Sequence, residues 1–133
     1  MSSHTSGILL FAHGARDPRW AMPFESVAQR IRDNRPQVPV RLAFLEFMTP
    51  DLLEAGQQLA TEGCTQVTIS PLFLGAGGHV RKDLPHLIEQ LKEQHPHVDW
   101  RLIPAIGEID SVCEAMAQAV VNAVLPGGKE GPP

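Results

Sequence analysis

Hydrophobic residues along the chain fall into four short runs, and each run is followed by a segment with helical spacing. The runs are Gly7 to Ala12, Val38 to Leu45, Gln66 to Leu74 and Val98 to Pro104. Nearly continuous apolar strands are typical of parallel sheets that helices cover on both faces. The pattern therefore predicts an α/β fold, a single-domain three-layer sandwich around a four-stranded parallel sheet.

The helical segments carry apolar residues three and four positions apart, so each helix is expected to bury one stripe. The stripes are Phe24, Val27, Ala28 and Ile31; Leu52, Ala55, Gly56 and Leu59; Leu84, Leu87, Ile88 and Leu91; and Ile109, Val112, Met116 and Val120. Thr49 and Pro50 predict the N-cap and the first residue of the second helix. Asp51 and Glu54 would place negative charge in its first turn. Pro71 cannot donate a ladder hydrogen bond, so the third strand is expected to bulge or end there.

Length and composition indicate one globular domain. The chain has 133 residues, of which 43% are hydrophobic and 20% charged, which is ordinary for a protein with a single core. We expect that domain to span residues 1–125. Residues 126–133 are expected to form a flexible tail, because they include three glycines and three prolines and nothing apolar to anchor them. Neither the number nor the placement of Cys64 and Cys113 indicates a disulfide framework, and both are expected to be packing residues.

Charge and hydropathy argue against several classes of partner. A formal net charge of -4 offers no general attraction to phosphate backbones or anionic lipid. No apolar run approaches the roughly 20 residues that span a bilayer, and residues 1–7 lack the basic start and apolar stretch of a signal peptide. We therefore expect no nucleic-acid partner, no membrane partner and a cytoplasmic location.

Candidate functional residues come directly after the predicted strands. His13 follows the first strand, Glu46 ends the second and His79 follows the third. Loops at the carboxyl ends of parallel strands meet at one edge of the sheet, where ligands bind. Imidazole and carboxylate groups are ligands for cobalt, iron, nickel or zinc. The sequence therefore predicts an open metal site of two histidines and one glutamate at this edge.

Each of these residues also has a plainer interpretation. A histidine after a strand is often only a hydrogen-bonding loop residue, and Glu46 could simply end its strand and face water. For the other histidines, on a helix, at a helix end or in the N-terminal segment, a structural role is the better interpretation. These are His4, His86, His95 and His97.

Glycines and basic residues surround the same edge. The glycines are Gly75, Gly77 and Gly78, and the basic residues are Arg16, Arg81 and Lys82. The glycines would let the backbone adopt positive φ angles and pass close to a ligand. The basic side chains would suit carboxylates on a substrate, or could be solvated surface charges. The sequence has neither the lysine and hydroxyl residue of a P-loop nor a dinucleotide fingerprint after the first strand, so no organic cofactor is expected.

Three motifs follow one another along most of the chain. FAHGARDP comes after the first strand, LAFLEF closes the second and PLFLGAGGHVRKDLP comes after the third. Together they resemble the short form of the class II chelatases, the CbiX-type sirohydrochlorin cobaltochelatase and ferrochelatase family, from Gly7 to Val124. The resemblance implies a chelatase-like sheet with flavodoxin-like strand order. Ala15 stands where a serine often follows the histidine and glycine, so no hydroxyl contact is expected there.

The resemblance implies an enzyme, a lyase that inserts a divalent metal into sirohydrochlorin or a related tetrapyrrole without ATP, in cobalamin or siroheme biosynthesis. Co²⁺ would be the metal substrate, with Fe²⁺ or Ni²⁺ as alternatives. The two family histidines match His13 and His79, which would hold the metal and take pyrrole protons with help from Glu46. Longer family members place two such domains across a cleft, so a chain with one is expected to form a homodimer.

Two other functions could use the same residues. A histidine and glycine after the first strand also open the histidine phosphatases, which need an arginine directly before that histidine. Ala12 holds that place here, so the phosphate clamp is incomplete. A non-catalytic metal-binding or metal-delivery protein would need the same two histidines without turnover. This second alternative stays open at the level of sequence.

Overall fold

Strands and helices alternate along the chain in the computed structural model, which describes residues 5–75 and 77–125 apart from the side chain of His79. The strands are β1 (Ser6–Ala12), β2 (Val40–Phe44), β3 (Gln66–Pro71) and β4 (Asp99–Leu102). The helices are α1 (Met22–Asn34), α2 (Leu52–Thr61), α3 (Gly78–Gln94) and α4 (Asp110–Val124). Short 3₁₀ helices span Pro18–Ala21 and Ile106–Glu108. The predicted tail, 126–133, lies outside the described residues.

The four strands form one parallel sheet in the order β2-β1-β3-β4, which confirms the predicted sheet and its strand order. β1 pairs with β2 as far as Ala12 opposite Phe44, and with β3 as far as Phe11 opposite Pro71. β3 ends at Pro71, as expected for a residue that has no N–H group to donate. The carboxyl ends of β1, β2 and β3 therefore lie side by side.

The main core lies on one face of the sheet, beneath α2 and α3. The strand residues Leu9, Val67 and Ile69 have 0% exposure there. They pack on residues of the second and third predicted stripes: Leu52, Ala55, Leu59, Leu84, Ile88 and Leu91. On the other face, Ala28 of α1 packs beside β1 and β2, while Val27 of the same stripe is exposed. Within the described residues, no helix combines the length and apolar character needed to cross a membrane.

The fourth stripe departs from the prediction, because α4 has no buried residue. Cys113 on this helix is exposed, so the expectation that it is a packing residue is wrong. Cys64 is buried in the main core, as expected. That burial raises the pKa of the Cys64 thiol, and the charge of Arg41 acts in the opposite direction. The same spacing that marks buried helix faces elsewhere in the chain marks an uncovered face on α4.

Helix α2 begins at a different place from the one predicted. Its N-cap is Asp51, whose carboxylate accepts a hydrogen bond from the Glu54 N–H at 2.8 Å. The Glu54 carboxylate in turn accepts one from the Asp51 N–H at 2.9 Å. Thr49 and Pro50 precede the helix, so the prediction that they form its N-cap and first residue is wrong. The reciprocal box satisfies two backbone donors at the helix start, which the Thr49 hydroxyl alone could not do.

Replacing Asp51 by alanine should lower the free energy of unfolding by about 1 kcal/mol, because it removes the N-cap acceptor of α2. Thr49→Ala is the matched control and should change stability by less than about 0.5 kcal/mol. Urea unfolding followed by circular dichroism measures both. An equal or larger loss for Thr49→Ala would show that the cap lies at the residue the sequence favoured.

Candidate functional site

Backbone hydrogen bonds continue the strand pairing beyond the ends of the strands. On one side of β1, the Glu46 N–H donates to the His13 carbonyl at 3.0 Å. On the other side, the Leu72 N–H donates to the Phe11 carbonyl at 2.7 Å. The segments that follow β1, β2 and β3 are therefore held together at the carboxyl edge of the sheet.

His13 is held at the rim of this edge by an aromatic contact. The residue is exposed, and its ring centroid lies 4.4 Å from that of Phe73, in the segment between β3 and α3. Phe73 is itself buried and meets the Phe11 ring edge-on at 5.8 Å. A buried aromatic residue thus fixes the position of an exposed imidazole and connects the β1 loop to the segment that leads into α3.

Gly14 lies where the loops after β1 and β2 approach each other closely. Its φ angle is +89°, which is strained for any residue with a side chain. A Cβ atom at this position would also collide with the carbonyl oxygen of Glu46. Glu46 is exposed, so its backbone supports the His13 loop while the residue faces solvent. The glycine of the first motif therefore has a structural reason of its own.

Gly77 is the N-cap of α3, Gly78 is the first residue of the helix and His79 is the second. Its side chain lies outside the described part of the chain. Among the side chains that the structure does describe, no group of three from His, Cys, Asp and Glu could hold a metal ion. The predicted grouping of His13, Glu46 and His79 therefore stays a prediction, supported by the shared edge of the sheet.

The glycine-rich loop differs from the expectation in one respect. None of Gly75, Gly77 and Gly78 has a positive φ angle, so that prediction is wrong. A Cβ atom at any of the three would meet open space. The loop therefore needs glycine for neither steric nor conformational reasons here, and a role in substrate binding stays a prediction.

Phe47 also belongs to the rim, although the pattern of the chain did not predict it as a site residue. It has a φ angle of 69°, which is rare for a bulky residue, and its surface is 56% exposed. The guanidinium carbon of Arg16 lies 4.5 Å from the centre of its ring, within the range of a cation–π contact. No sequence pattern signals a positive φ angle at phenylalanine. The only available signal was its place directly after Glu46.

Two further predicted binding residues, Arg81 and Lys82, are exposed residues of the first turns of α3. A cavity of about 280 Å³ adjoins the rim and includes Phe73 and Arg81 in its lining. A larger cavity of about 660 Å³ lies beside β2 and α2, and no predicted site residue lines it. Pockets for drug-sized ligands measure about 300–1,000 Å³, so the smaller cavity is too small to enclose a tetrapyrrole. The candidate site is an open rim.

Comparison with known proteins identifies the family. The CbiX family model matches residues 7–123. The chain belongs to the CbiX family. The resemblance carried by the three sequence motifs is thereby confirmed.

Relatives of this CbiX chain include proteins named sirohydrochlorin cobaltochelatase. The protein of Sulfurisphaera tokodaii is 30% identical over 117 residues, which cover 86% of this chain and 90% of that protein. The protein of Methanothermobacter thermautotrophicus is 32% identical over 62% of this chain and 57% of that protein. The protein of Priestia megaterium is 26% identical over 85% of this chain. The match spans only 37% of the Priestia protein.

Solved structures of CbiX and SirB proteins share the fold. A CbiX protein of Marinobacter aquaeolei is 34% identical, with a TM-score of 0.79. The match covers 90% of this chain and 97% of that one. The sirohydrochlorin chelatase SirB of Bacillus subtilis, in complex with cobalt, is 20% identical with a TM-score of 0.76. That match covers 87% of this chain and 50% of the SirB chain.

Gly14→Ala should lower the free energy of unfolding by at least about 2 kcal/mol, because it combines a strained φ angle with a backbone collision. Gly75→Ala is the matched control in open space and should cost no more than about 0.5 kcal/mol. Thermal and urea unfolding of both variants provide the measurement. Equal stability of the two variants would contradict the close approach of Gly14 to Glu46.

Proposed function

We propose that this chain is a sirohydrochlorin chelatase, a lyase that inserts a divalent metal ion into sirohydrochlorin or a related tetrapyrrole without ATP. The observation that carries the proposal is the exposed imidazole of His13 at the carboxyl edge of the sheet. The ring of Phe73 holds it there, and Phe73 lies in the segment that leads to His79. Membership of the CbiX family, and the cobaltochelatase name of a relative that aligns over most of both chains, support it.

The chemistry of insertion matches the residue types at the rim. A metal ion must be held while two pyrrole protons leave the macrocycle, so the site needs groups that bind borderline divalent ions and also accept protons. Neutral imidazole can do both. We assign these two roles to His13 and His79. The carboxylate of Glu46 assists, because a negative charge close to the site favours a divalent cation.

The metal ion is a substrate of this proposed reaction. We propose Co²⁺ as the first choice and Fe²⁺ or Ni²⁺ as alternatives, since all three accept nitrogen and oxygen ligands. Relatives named cobaltochelatase support cobalt, and SirB of Bacillus subtilis has been solved both with cobalt and with Fe³⁺. The product would enter cobalamin or siroheme biosynthesis in the cytoplasm, and the proposal includes no organic cofactor.

The rim also offers groups that suit the periphery of a tetrapyrrole. Sirohydrochlorin carries carboxylates around a flat conjugated ring. Arg16, Arg81 and Lys82 would orient those carboxylates, with bidentate contacts from the arginines. The exposed ring of Phe47 gives the flat macrocycle an apolar surface beside Arg16. Gly75, Gly77 and Gly78 leave space for a ligand next to the backbone.

We further propose that the working unit is a homodimer. The cavity that the described residues form beside the rim measures about 280 Å³, which is too small to enclose a tetrapyrrole. The match with SirB covers only half of that chain. Two copies of this chain would together provide about the length of one SirB chain, with two copies of each histidine.

His13→Ala and His79→Ala should each lower kcat/KM for Co²⁺ insertion by about a hundredfold or more, which is the scale of lost proton transfer. His97→Ala is the control, since His97 is an exposed histidine beyond the far end of α3. The assay follows the visible absorbance of sirohydrochlorin with Co²⁺ and without ATP. A double variant with full activity would refute the assigned roles. Metal binding without turnover in the unaltered protein would instead favour a metal-delivery function.

Arg16→Ala should raise KM for sirohydrochlorin by roughly tenfold with a smaller effect on kcat, because it removes one charged contact to a carboxylate. Arg19→Ala is a control from the same loop. The Arg19 guanidinium is bound to the Asp17 carboxylate at 2.8 Å, and this contact lowers the pKa of that carboxyl. An equal rise in KM for both variants would indicate a general charge effect rather than a specific contact.

A further inference from the structure

The loop between β4 and α4 contains none of the predicted site residues, although it follows a strand of the same parallel sheet. Its residues, 103–109, are mostly apolar and include the short 3₁₀ helix Ile106–Glu108. The predicted site residues His13, Glu46 and His79 follow β1, β2 and β3. The contacts of the β4–α4 loop show that it supports one of these segments, the one between β3 and α3.

The β4–α4 loop is itself fixed to the core and to α4. The Ile103 N–H donates to the Ile69 carbonyl at 3.1 Å, which continues the pairing of β4 with β3 beyond the end of β4. Ala105, the N-cap of the 3₁₀ helix, is buried in the main core. The Cys113 thiol of α4 donates to the Gly107 carbonyl at 3.2 Å. Because the loop is held on both sides, it can act as a support for what it touches.

Gly107 is the point at which the β4–α4 loop meets the segment between β3 and α3. Its N–H donates to the Phe73 carbonyl at 3.0 Å. A Cβ atom at Gly107 would collide with the backbone of Leu74, and no change of side-chain rotamer could relieve that collision. Among the described glycines, only Gly14 and Gly107 would place a Cβ atom against backbone in this way. The φ angle of Gly107 is not positive, so glycine is needed here for space alone.

The backbone that Gly107 contacts determines where the Phe73 ring lies, and this ring lies 4.4 Å from that of His13. The start of the segment is held by the Leu72 N–H, which is bonded to β1. Beyond it, the side chain of Leu74 is 70% exposed, so it contributes little packing that could hold the segment. The position of the Phe73 backbone therefore depends on its contact with Gly107.

We propose that Gly107 is a positioning residue for His13. Its contact with the backbone of Phe73 and Leu74 holds the Phe73 ring against the imidazole, so the β4–α4 loop sets the geometry of the rim without touching a substrate. The inference rests on the proposed function, in which His13 holds the metal ion and accepts a pyrrole proton. A displacement of about 1 Å at such a group can lower the rate by about a hundredfold. An added Cβ atom at Gly107 would have to displace the Leu74 backbone, and the Phe73 ring would move with it.

Gly107→Ala should lower kcat for Co²⁺ insertion by about tenfold or more and change KM for sirohydrochlorin by less than about threefold, because it displaces His13 and leaves the binding groups in place. Gly56→Ala is the matched control. Its Cβ atom would collide with the Leu91 side chain in the main core, so it should lower stability without changing kcat. Circular dichroism confirms that both variants are folded during the assay. An equal loss of kcat in both, or an unchanged kcat in folded Gly107→Ala, would overturn the proposal.

NMR of the His13 ring protons tests the contact without an insertion assay, so failure of the proposed function can be distinguished from failure of this inference. The Phe73 ring current affects the chemical shifts of these protons, which are assigned with His13→Gln. Gly107→Ala should move the His13 signals, and Gly56→Ala should leave them in place. Unchanged His13 signals in folded Gly107→Ala would overturn the inference even if the chain is an active chelatase.

A gentler change keeps the test valid if Gly107→Ala does not fold. Cys113→Ala removes the donor to the Gly107 carbonyl without adding an atom to the contact. It should move the His13 signals in the same direction as Gly107→Ala, by a smaller amount. Cys113→Ser keeps a donor and should restore the signals of the unaltered protein. Identical His13 signals in Cys113→Ala, Cys113→Ser and the unaltered protein, with Gly107→Ala unfolded, would show a purely structural role for Gly107 and overturn the proposal.

Discussion

The pairing of β1 with a strand on each side is the constraint on which the candidate site depends. Hydrogen bonds run past both strand ends, from Glu46 to His13 and from Leu72 to Phe11. The three loops therefore cannot move independently. A slip of one residue in either pairing would turn the side chains of a strand to the opposite face. His13 is thus positioned mainly by the backbone pairing, and the Phe73 ring then fixes its orientation.

The sequence predicted the sheet and the two helices of the main core because burial on both sides produces a simple pattern. Leu9 and Ile69 lie in strands whose core-facing residues are all apolar, and α2 and α3 present one apolar stripe each. The same reasoning was incomplete for α4. An apolar stripe shows that a helix has a face to bury, but it does not show which surface covers that face, or whether the surface belongs to the same copy of the chain.

The candidate site was predictable only as far as topology determines it. Parallel strands bring His13 and Glu46 to one edge, and that placement follows from strand order alone. The contacts of Phe47 and Phe73 depend on a positive φ angle and on ring packing, which leave no mark in a sequence. The expected N-cap at Thr49 was wrong for a different reason. Asp51 and Glu54 form a reciprocal capping box, and their three-residue spacing was visible in the sequence beside the Thr49–Pro50 signal.

The contact between Arg16 and Phe47 would reduce the entropic cost of binding an anion at the rim. An arginine side chain free in solvent samples many rotamers, and ordering one such side chain on binding costs about 0.5–1.5 kcal/mol. The ring of Phe47 restricts the guanidinium before any anion arrives. Part of the entropic cost of ordering Arg16 is therefore paid during folding, so this part of the rim is preorganised. Binding of an anion there would then require less ordering of the protein.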